Sequence, residues 1–336
     1  MRFVSRDGRS NKFWSIERRG STLVTEWGTI GTRGARATKP HPSNAAARLA
    51  CRSLVRDRCA RGYVRVPVES TWSVASNPAL EARVLEEPGD DTHLAVYADW
   101  LSENGDRRGE LIALERAAAR GDADARLAAA SLLSELEPEI LGSAYEQLGD
   151  ALHVEHRLGL VDEIDWCLEG RMAGEDFARH LANPAFRLAR RLNVEFAEDP
   201  IHRPIFGGLL GTCPRLETLE LTAPRIELCA LSSSRLTRLY VGSSGEVDGA
   251  HLLLEESTLP ALRSLTLSGL IDGVARSLTR SPLLSSLRRL DLAHVALDED
   301  DEQLLLAGVE RFAALEELVV PDHLETLSAA LRAAQP

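Results

Sequence analysis

The stretch Leu216-Glu217-Thr218-Leu219-Glu220-Leu221 decides how this chain is read, because its spacing returns again and again. The pattern L-x-x-L-x-L recurs at Leu236, Leu239 and Val241; at Leu262, Leu265 and Leu267; at Leu287, Leu290 and Leu292; and at Leu315, Leu318 and Val320. Two looser copies lie upstream, at Val161, Ile164 and Trp166 and at Ala189, Leu192 and Val194. Successive first positions are 28, 27, 20, 26, 25 and 28 residues apart. The alternating L-x-L core has the period of a short strand whose side chains point in turn to two faces. Recurrence at this interval makes each strand one unit of a stack, since a single unit has nothing against which to bury its leucines.

This pattern resembles the leucine-rich repeat. The resemblance implies a C-terminal leucine-rich-repeat solenoid over residues 155–336, of about seven irregular repeats. Residues flanking the inward leucines then point to the concave side. They include Arg191, Asn193, Glu195, Thr218, Glu220, Arg238, Tyr240, Ser264, Thr266, Arg289, Asp291, Glu317 and Val319. A mixed polar surface with a tyrosine and several arginines suits a protein partner; the alternative is a solvated sheet face. Helical patterns fill some linkers, at residues 272–279 and 300–313. The 20-residue step is too short for much helix and predicts an irregular turn. The asparagine ladder of regular repeats is missing: Pro224, Ser244, Leu270, Val295 and His323 stand after the strands, which predicts a shallow, uneven arc.

Working toward the N-terminus, residues 77–150 read as helical. Asn77-Pro78 is an N-cap followed by proline at the first helical position. After Pro88-Gly89 a helix starts at Asp90 or Asp91, with Leu94, Tyr97, Ala98 and Leu101 at i, i+3, i+4 and i+7, and Asn104-Gly105 closes it. The string Tyr97-Ala98-Asp99-Trp100-Leu101 followed by Asn104-Gly105-Asp106-Arg107-Arg108-Gly109-Glu110-Leu111-Ile112 resembles a bacterial repeat-companion module that precedes leucine-rich repeats. Arg157-Leu158-Gly159-Leu160-Val161, entering the first repeat strand, fits the same arrangement.

Residues 1–67 read as a small sheet plus one helix. Phe13-Trp14-Ser15-Ile16 and the run from Leu23 to Ile30 are strand-like. Gly28, Gly31 and Gly34 mark tight turns, and Ser43 is placed to cap a helix carrying Ala46, Leu49, Ala50, Leu54 and Val55. These residues resemble the WGR domain, on the strength of Phe13-Trp14, of Trp27-Gly28-Thr29-Ile30-Gly31 with Gly34 beyond, and of Arg61-Gly62-Tyr63. The sequence departs from the family tripeptide at one residue: Thr29 stands where the family has arginine. In eukaryotic poly(ADP-ribose) polymerases this module helps grip DNA ends and relays that event to a catalytic domain, but no ADP-ribosyl-transferase segment is visible here. The whole is therefore an α/β chain: a small WGR-like α+β sheet domain, a helical linker module and the solenoid.

Charge divides the chain. Residues 1–75 hold 15 Lys+Arg against 5 Asp+Glu, while the remainder holds 24 against 46. Arg33, Arg36 and Lys39 follow the glycine turns, and Arg48, Arg52 and Arg56 share a helix face at i, i+4 and i+8, with Arg58 and Arg61 nearby. Beside Trp27, such a basic stripe has the chemistry of phosphate-backbone and base-stacking contact with DNA. The alternative is that Trp14 and Trp27 are core and the arginines solvate the helix or face the acidic remainder.

Other chemistry is thin. His153 and His156 sit i, i+3 near an expected helix end and lack the order and spacing of a zinc protease. The acidic run from Asp298 to Glu302 reads as a solvated loop and helix N-terminus. No Walker A, G-x-S-x-G or strand-anchored dinucleotide motif occurs. Catalytic residues, metal, cofactor and small-molecule substrate are all expected to be absent. The five cysteines are odd in number and scattered, which suits reduced thiols and a cytoplasmic setting. No run of about 18 apolar residues exists, and no secretory signal is read at the start. The expectation is a non-enzymatic bacterial scaffold or adaptor whose arc holds an unidentified protein partner. The alternative is a DNA-end or single-strand binder acting through the head.

Overall fold

The computed structural model describes residues 2–6, 11–19, 21–65, 74–87, 91–142, 151–168, 174–324 and 329. The head is an antiparallel sheet of order β4-β3-β2-β1-β5, formed by β1 (Arg2–Arg6), β2 (Asn11–Arg19), β3 (Thr22–Thr29), β4 (Ala35–Pro40) and β5 (Val64–Arg65). Helix α1 (Asn44–Ala60) packs across β2 and β3. Its start is fixed by the Ser43 hydroxyl, which accepts from the Ala46 N–H at 3.1 Å. Ala47, Cys51 and Val55 fall at i, i+4 and i+8 and meet Phe3, Trp14, Ile16 and Leu23 of the sheet in one small core. The β3–β4 turn folds back over Phe13. A Cβ on Gly34 (φ +68°) would lie 2.6 Å from Phe13 Cζ and 2.7 Å from the Trp27 carbonyl oxygen, so only glycine closes this turn.

Four helices follow: α2 (Pro78–Glu86), α3 (Asp91–Glu103), α4 (Arg108–Ala119) and α5 (Ala123–Leu141). Asn77 caps α2, accepting from the N–H groups of Ala79 and Leu80. Helices α3 and α4 touch at Gly109, where a Cβ would stand 2.3 Å from the Ala98 carbonyl oxygen. Glu81 is only 2% exposed, and one of its carboxylate oxygens gathers three donors while the other faces an arginine. Ser76 Oγ, the Asn77 N–H and Tyr97 Oη donate to Oε1 at 2.8, 3.1 and 3.3 Å, and Arg187 Nε lies 3.3 Å from Oε2. Burial in this cluster pushes the Tyr97 hydroxyl above its ordinary range.

The C-terminal half is a ladder of parallel strands laid down in chain order. Strand β6 (Leu152–Arg157) pairs antiparallel with β7 (Leu160–Leu168). Then β8 (Arg191–Phe196), β9 (Thr218–Ala223), β11 (Arg238–Asp248), β12 (Ser264–Ile271), β13 (Arg289–Val295) and β14 (Glu317–Val319) follow in parallel, while the short β10 (Ile226–Glu227) pairs with the far end of β11. Every copy of the sequence pattern opens one parallel strand. The middle positions Ile164, Leu192, Leu219, Leu239, Leu265, Leu290 and Leu318 stand opposite one another across the ladder. All seven first positions, from Val161 to Leu315, are buried, and one continuous core runs from Leu111 to Leu324. Fully burying a leucine is worth about 1.5–3 kcal/mol, which is why the spacing is kept while the linkers vary.

The linkers carry α6 (Gly174–Leu181), α7 (Arg203–Thr212), α8 (Ala250–Glu256), α9 (Val274–Arg280) and α10 (Glu299–Ala307). Between β9 and β11, at the 20-residue step, no helix forms. Buried side chains bridge the linkers to neighbouring segments. Asn183 Nδ2 donates to the Ile140 carbonyl at 2.8 Å, Ser257 Oγ accepts from the Leu231 N–H at 2.9 Å, and Ser281 Oγ donates to the Leu254 carbonyl at 2.5 Å. At the strand entrances the Arg263 and Arg288 guanidinium groups donate to the carbonyls of Ser286 and Ala314 in the next unit.

The helical segment is joined to the ladder by the β6–β7 turn. Leu158 (φ 51°) and Gly159 (φ 72°) both adopt the left-handed region that a two-residue hairpin turn demands. The Gly159 N–H donates to Glu115 Oε2 at 3.0 Å, and a Cβ there would strike Ile112. The sequence reading of His153 and His156 as lying near a helix end is corrected: both belong to β6, because Leu152 and Val154 alternate inward against β7. Among the described residues no helix is long and apolar enough to cross a membrane.

Candidate interaction surfaces

With its leucines turned into the core, the ladder presents the intervening residues on its other face, in register. One row runs Glu163, Arg191, Thr218, Arg238, Ser264, Arg289, Glu317. The next runs Asp165, Asn193, Glu220, Tyr240, Thr266, Asp291, Val319, and a third contains Cys167, Glu195, Thr222, Gly242 and Ser268. All but Gly242 are half-buried or exposed. The sequence reading omits Glu163, Asp165, Thr222 and Ser268. The loose first copy carried the signal for the first two, since they flank Ile164 as Arg191 and Asn193 flank Leu192.

Charges on this face answer one another across strands. Arg191 lies 3.5 Å from Glu163 and 3.3 Å from Glu220. Asn193 Nδ2 donates to Asp165 at 3.1 Å. Arg289 lies 2.6 Å from Glu317 and 3.2 Å from Asp291. Arg238, exposed in the same row, has no carboxylate partner among the described residues. At the strand entrance Arg190 holds the buried Asp162 through two hydrogen bonds of 2.6 and 2.5 Å, and this pairing raises the arginine above its ordinary value.

The head's aromatic and basic residues are distributed by the pleat. Trp27 stands directly opposite Trp14, so both rings lie on the helix-covered side. Trp14 is buried, with the Arg58 guanidinium 5.3 Å from its ring centroid, whereas Trp27 is 40% exposed and meets only Ala35 on β4. Lys39, opposite Leu23, shares the side of Trp27. Arg36, opposite Glu26 and 3.6 Å from its carboxylate, lies on the reverse side. Arg33 is exposed in the turn, and every residue of the edge strand β4 is exposed. Arg48, Arg52 and Arg56 follow one another along α1; Arg56 is exposed, and the side chains of Arg48 and Arg52 lie outside the described residues. Arg58 is no part of a free stripe, because it caps Trp14 and Tyr63, and Arg61 pairs with Asp57.

The acidic run from Asp298 to Glu302 resolves into local structure. Asp298 and Asp301 form a reciprocal capping box at the start of α10, with the Asp301 N–H donating to Asp298 Oδ1 at 2.9 Å. Among the described residues no group of three or more His, Cys, Asp or Glu is arranged to hold a metal ion.

Comparison with known proteins places the head in a family and leaves the remainder open. Residues 1–69 match the WGR domain. No curated protein matches the chain. A crystal structure of a Bacteroides fragilis protein from a structural genomics programme aligns over 100% of this chain and 95% of its own, at 17% identity and a TM-score of 0.37.

Proposed function

We propose that this chain is a recognition protein that works by binding rather than catalysis. Its ladder is a leucine-rich-repeat solenoid over residues 155–336, joined by a repeat-companion module at residues 77–150 to the WGR head at residues 1–67. The arc holds a protein partner and the head supplies a second contact. One observation carries this reading: seven parallel strands bury one face in a continuous core and hold the other in fixed register, with charged side chains at regular positions and a tyrosine, Tyr240, at the centre. A surface of this kind is pre-ordered before any partner arrives, which lowers the entropy cost of binding.

The second reading, nucleic-acid binding through the head, is favoured by the exposure of Trp27 on the same side of the sheet as Lys39, with Arg33 in the adjoining turn. Both readings are tested with the full-length chain. Partners captured by it are made pure and titrated calorimetrically against wild type and against Arg191→Glu and Arg289→Glu variants. Weakened binding by the face variants supports the arc as the surface; unchanged binding of every partner removes it. In parallel, fluorescence anisotropy with single-stranded and 5′-phosphorylated duplex DNA is followed across a salt series. A steep salt slope that flattens in Arg33→Glu and Lys39→Glu would move the main work to the head.

A further inference from the structure

We infer that Arg238 and Tyr240 are the anchor of the ladder face. They receive one carboxylate of an extended segment of a partner protein, with basic residues of that segment to either side. This rests on the reading of the face as a protein-binding surface.

The argument begins with the row that holds three arginines two strands apart. Arg191 is flanked by carboxylates of both neighbouring strands, and Arg289 by Glu317 of the next strand and Asp291 of its own. Arg238, midway between them, stands opposite Thr218 on one side and Ser264 on the other. The nearest acid in register, Glu220, is turned to Arg191. An exposed guanidinium left without a carboxylate in a row where its equivalents are paired is the place where a carboxylate from outside fits best.

Tyr240 adds the second half. A Cβ on Gly242 would lie 2.6 Å from Tyr240 Oη and 2.8 Å from Cε1, so the ring lies along its own strand over the glycine. Of the neighbouring positions on that face Thr222, Thr266 and Ser268 are small, and Glu220, directly opposite on β9, is turned away to Arg191. A ring laid flat among small polar residues, next to an unpaired arginine, gives a partner an apolar floor beside a charge. Arginine and tyrosine are the residue types that dominate binding energy at interfaces.

Charge complementarity then selects the occupant. Toward the N-terminal end the face carries Glu163, Asp165, Glu195 and Glu220 against Arg191, and toward the other end Asp291 and Glu317 against Arg289. A nucleic acid laid across these strands would meet acid on both sides of one cation. A protein segment with a central Asp or Glu and flanking Arg or Lys meets opposite charge throughout. Side chains of an extended segment return to the same face at every second residue, about 6.6 Å on, so basic flanks two residues from the central acid face the ladder between one and two strands away at about 4.8 Å per strand.

The test uses full-length protein and short fluorescein-labelled Gly/Ser peptides. One carries a central Asp with Arg two residues to each side; a second carries Lys at the centre instead. Wild type is expected to bind the Asp peptide about ten-fold more tightly than the Lys peptide, and Arg238→Glu to reverse that order. Gly242→Ala, which lifts the Tyr240 ring, is expected to weaken the Asp peptide while circular dichroism stays unchanged. Equal binding of the two peptides by wild type, no binding of either, or displacement of the Asp peptide by duplex DNA overturns the anchor. A captured protein partner that binds the Arg238→Glu variant as tightly as wild type also overturns it, while leaving the arc as a binding surface. Unchanged binding of every partner by Arg191→Glu, Arg289→Glu and Arg238→Glu alike would instead remove the broader reading, and the anchor with it.

Discussion

The head and the ladder are both sheets packed against helices, yet they treat charge in opposite ways. In the ladder each strand repeats the last, so a charged residue has a counterpart about 4.8 Å away, and Arg191 and Arg289 are quenched by acids from the next unit. In the head no strand repeats another, and Arg33, Lys39 and Arg56 stand exposed without such register partners. Repetition thus neutralises a surface except where one copy departs from its neighbours, as at Arg238. The cores differ in the same sense. The head's is a small cluster closed by α1, while the ladder's runs unbroken through all seven parallel strands.

The sharpest way to break this contrast is to cut the ladder core. Leu239→Ala, at a fully buried middle position, is expected to cost about 2–5 kcal/mol in urea unfolding followed by circular dichroism. Because the head has a separate core, the fluorescence of Trp14 and Trp27 should report a head transition left unmoved, provided the other tryptophans are replaced. A single shifted transition for both would show that the two cores are coupled.

Next in size is an acid effect confined to the ladder's first hairpin. Burial pushes the imidazole of His156 on β6 down to about 4 from its ordinary 6.5. Folded His156 stays neutral where the unfolded chain takes up a proton. Stability is therefore full above about pH 6.5 and lost as pH falls toward 4. At about 1.4 kcal/mol per pH unit, the loss by pH 5 is about 2 kcal/mol. Denaturant titrations at pH 7 and pH 5 should show this loss in wild type and its absence in His156→Leu.

Smaller still is the Arg289–Glu317 pair. A double-mutant cycle with alanine should give about 0.2–1 kcal/mol, since both partners are exposed; a value near zero would mean that register brings charges together without stabilising the stack. Smallest is the head. Arg33→Glu with Lys39→Glu should change stability by under about 0.5 kcal/mol, because neither is locked in an ion pair. If DNA binds there, these changes lower the salt dependence of anisotropy far more than they change folding.

Legibility followed repetition as well. The strands of the ladder could be read because Leu216, Leu219 and Leu221 recur, and the face residues followed from alternation alone. His153 and His156 were misplaced because β6 has no copy elsewhere and only its pairing with β7 makes it a strand. The basic stripe was legible as composition, but Arg58 belonged to the packing of Trp14, and nothing in the spacing of Arg56, Arg58 and Arg61 distinguished them.

The sequence by itself determined the positions of the repeated strands, the helix caps at Ser43 and Asn77 and the turns at Gly31 and Gly34, because each shows in the pattern of residues a few positions apart. Only the tertiary structure decided which charges meet. It separated Trp14 from Trp27 though they stand opposite each other, put Arg36 behind the sheet and Lys39 before it, quenched Arg191 and Arg289, and left Arg238 open. The physical reason is distance: an ion pair or a ring contact forms between atoms within about 4–6 Å, and the strands that bring these groups together are about ten to thirty residues apart along the chain, so only their register decides which groups meet.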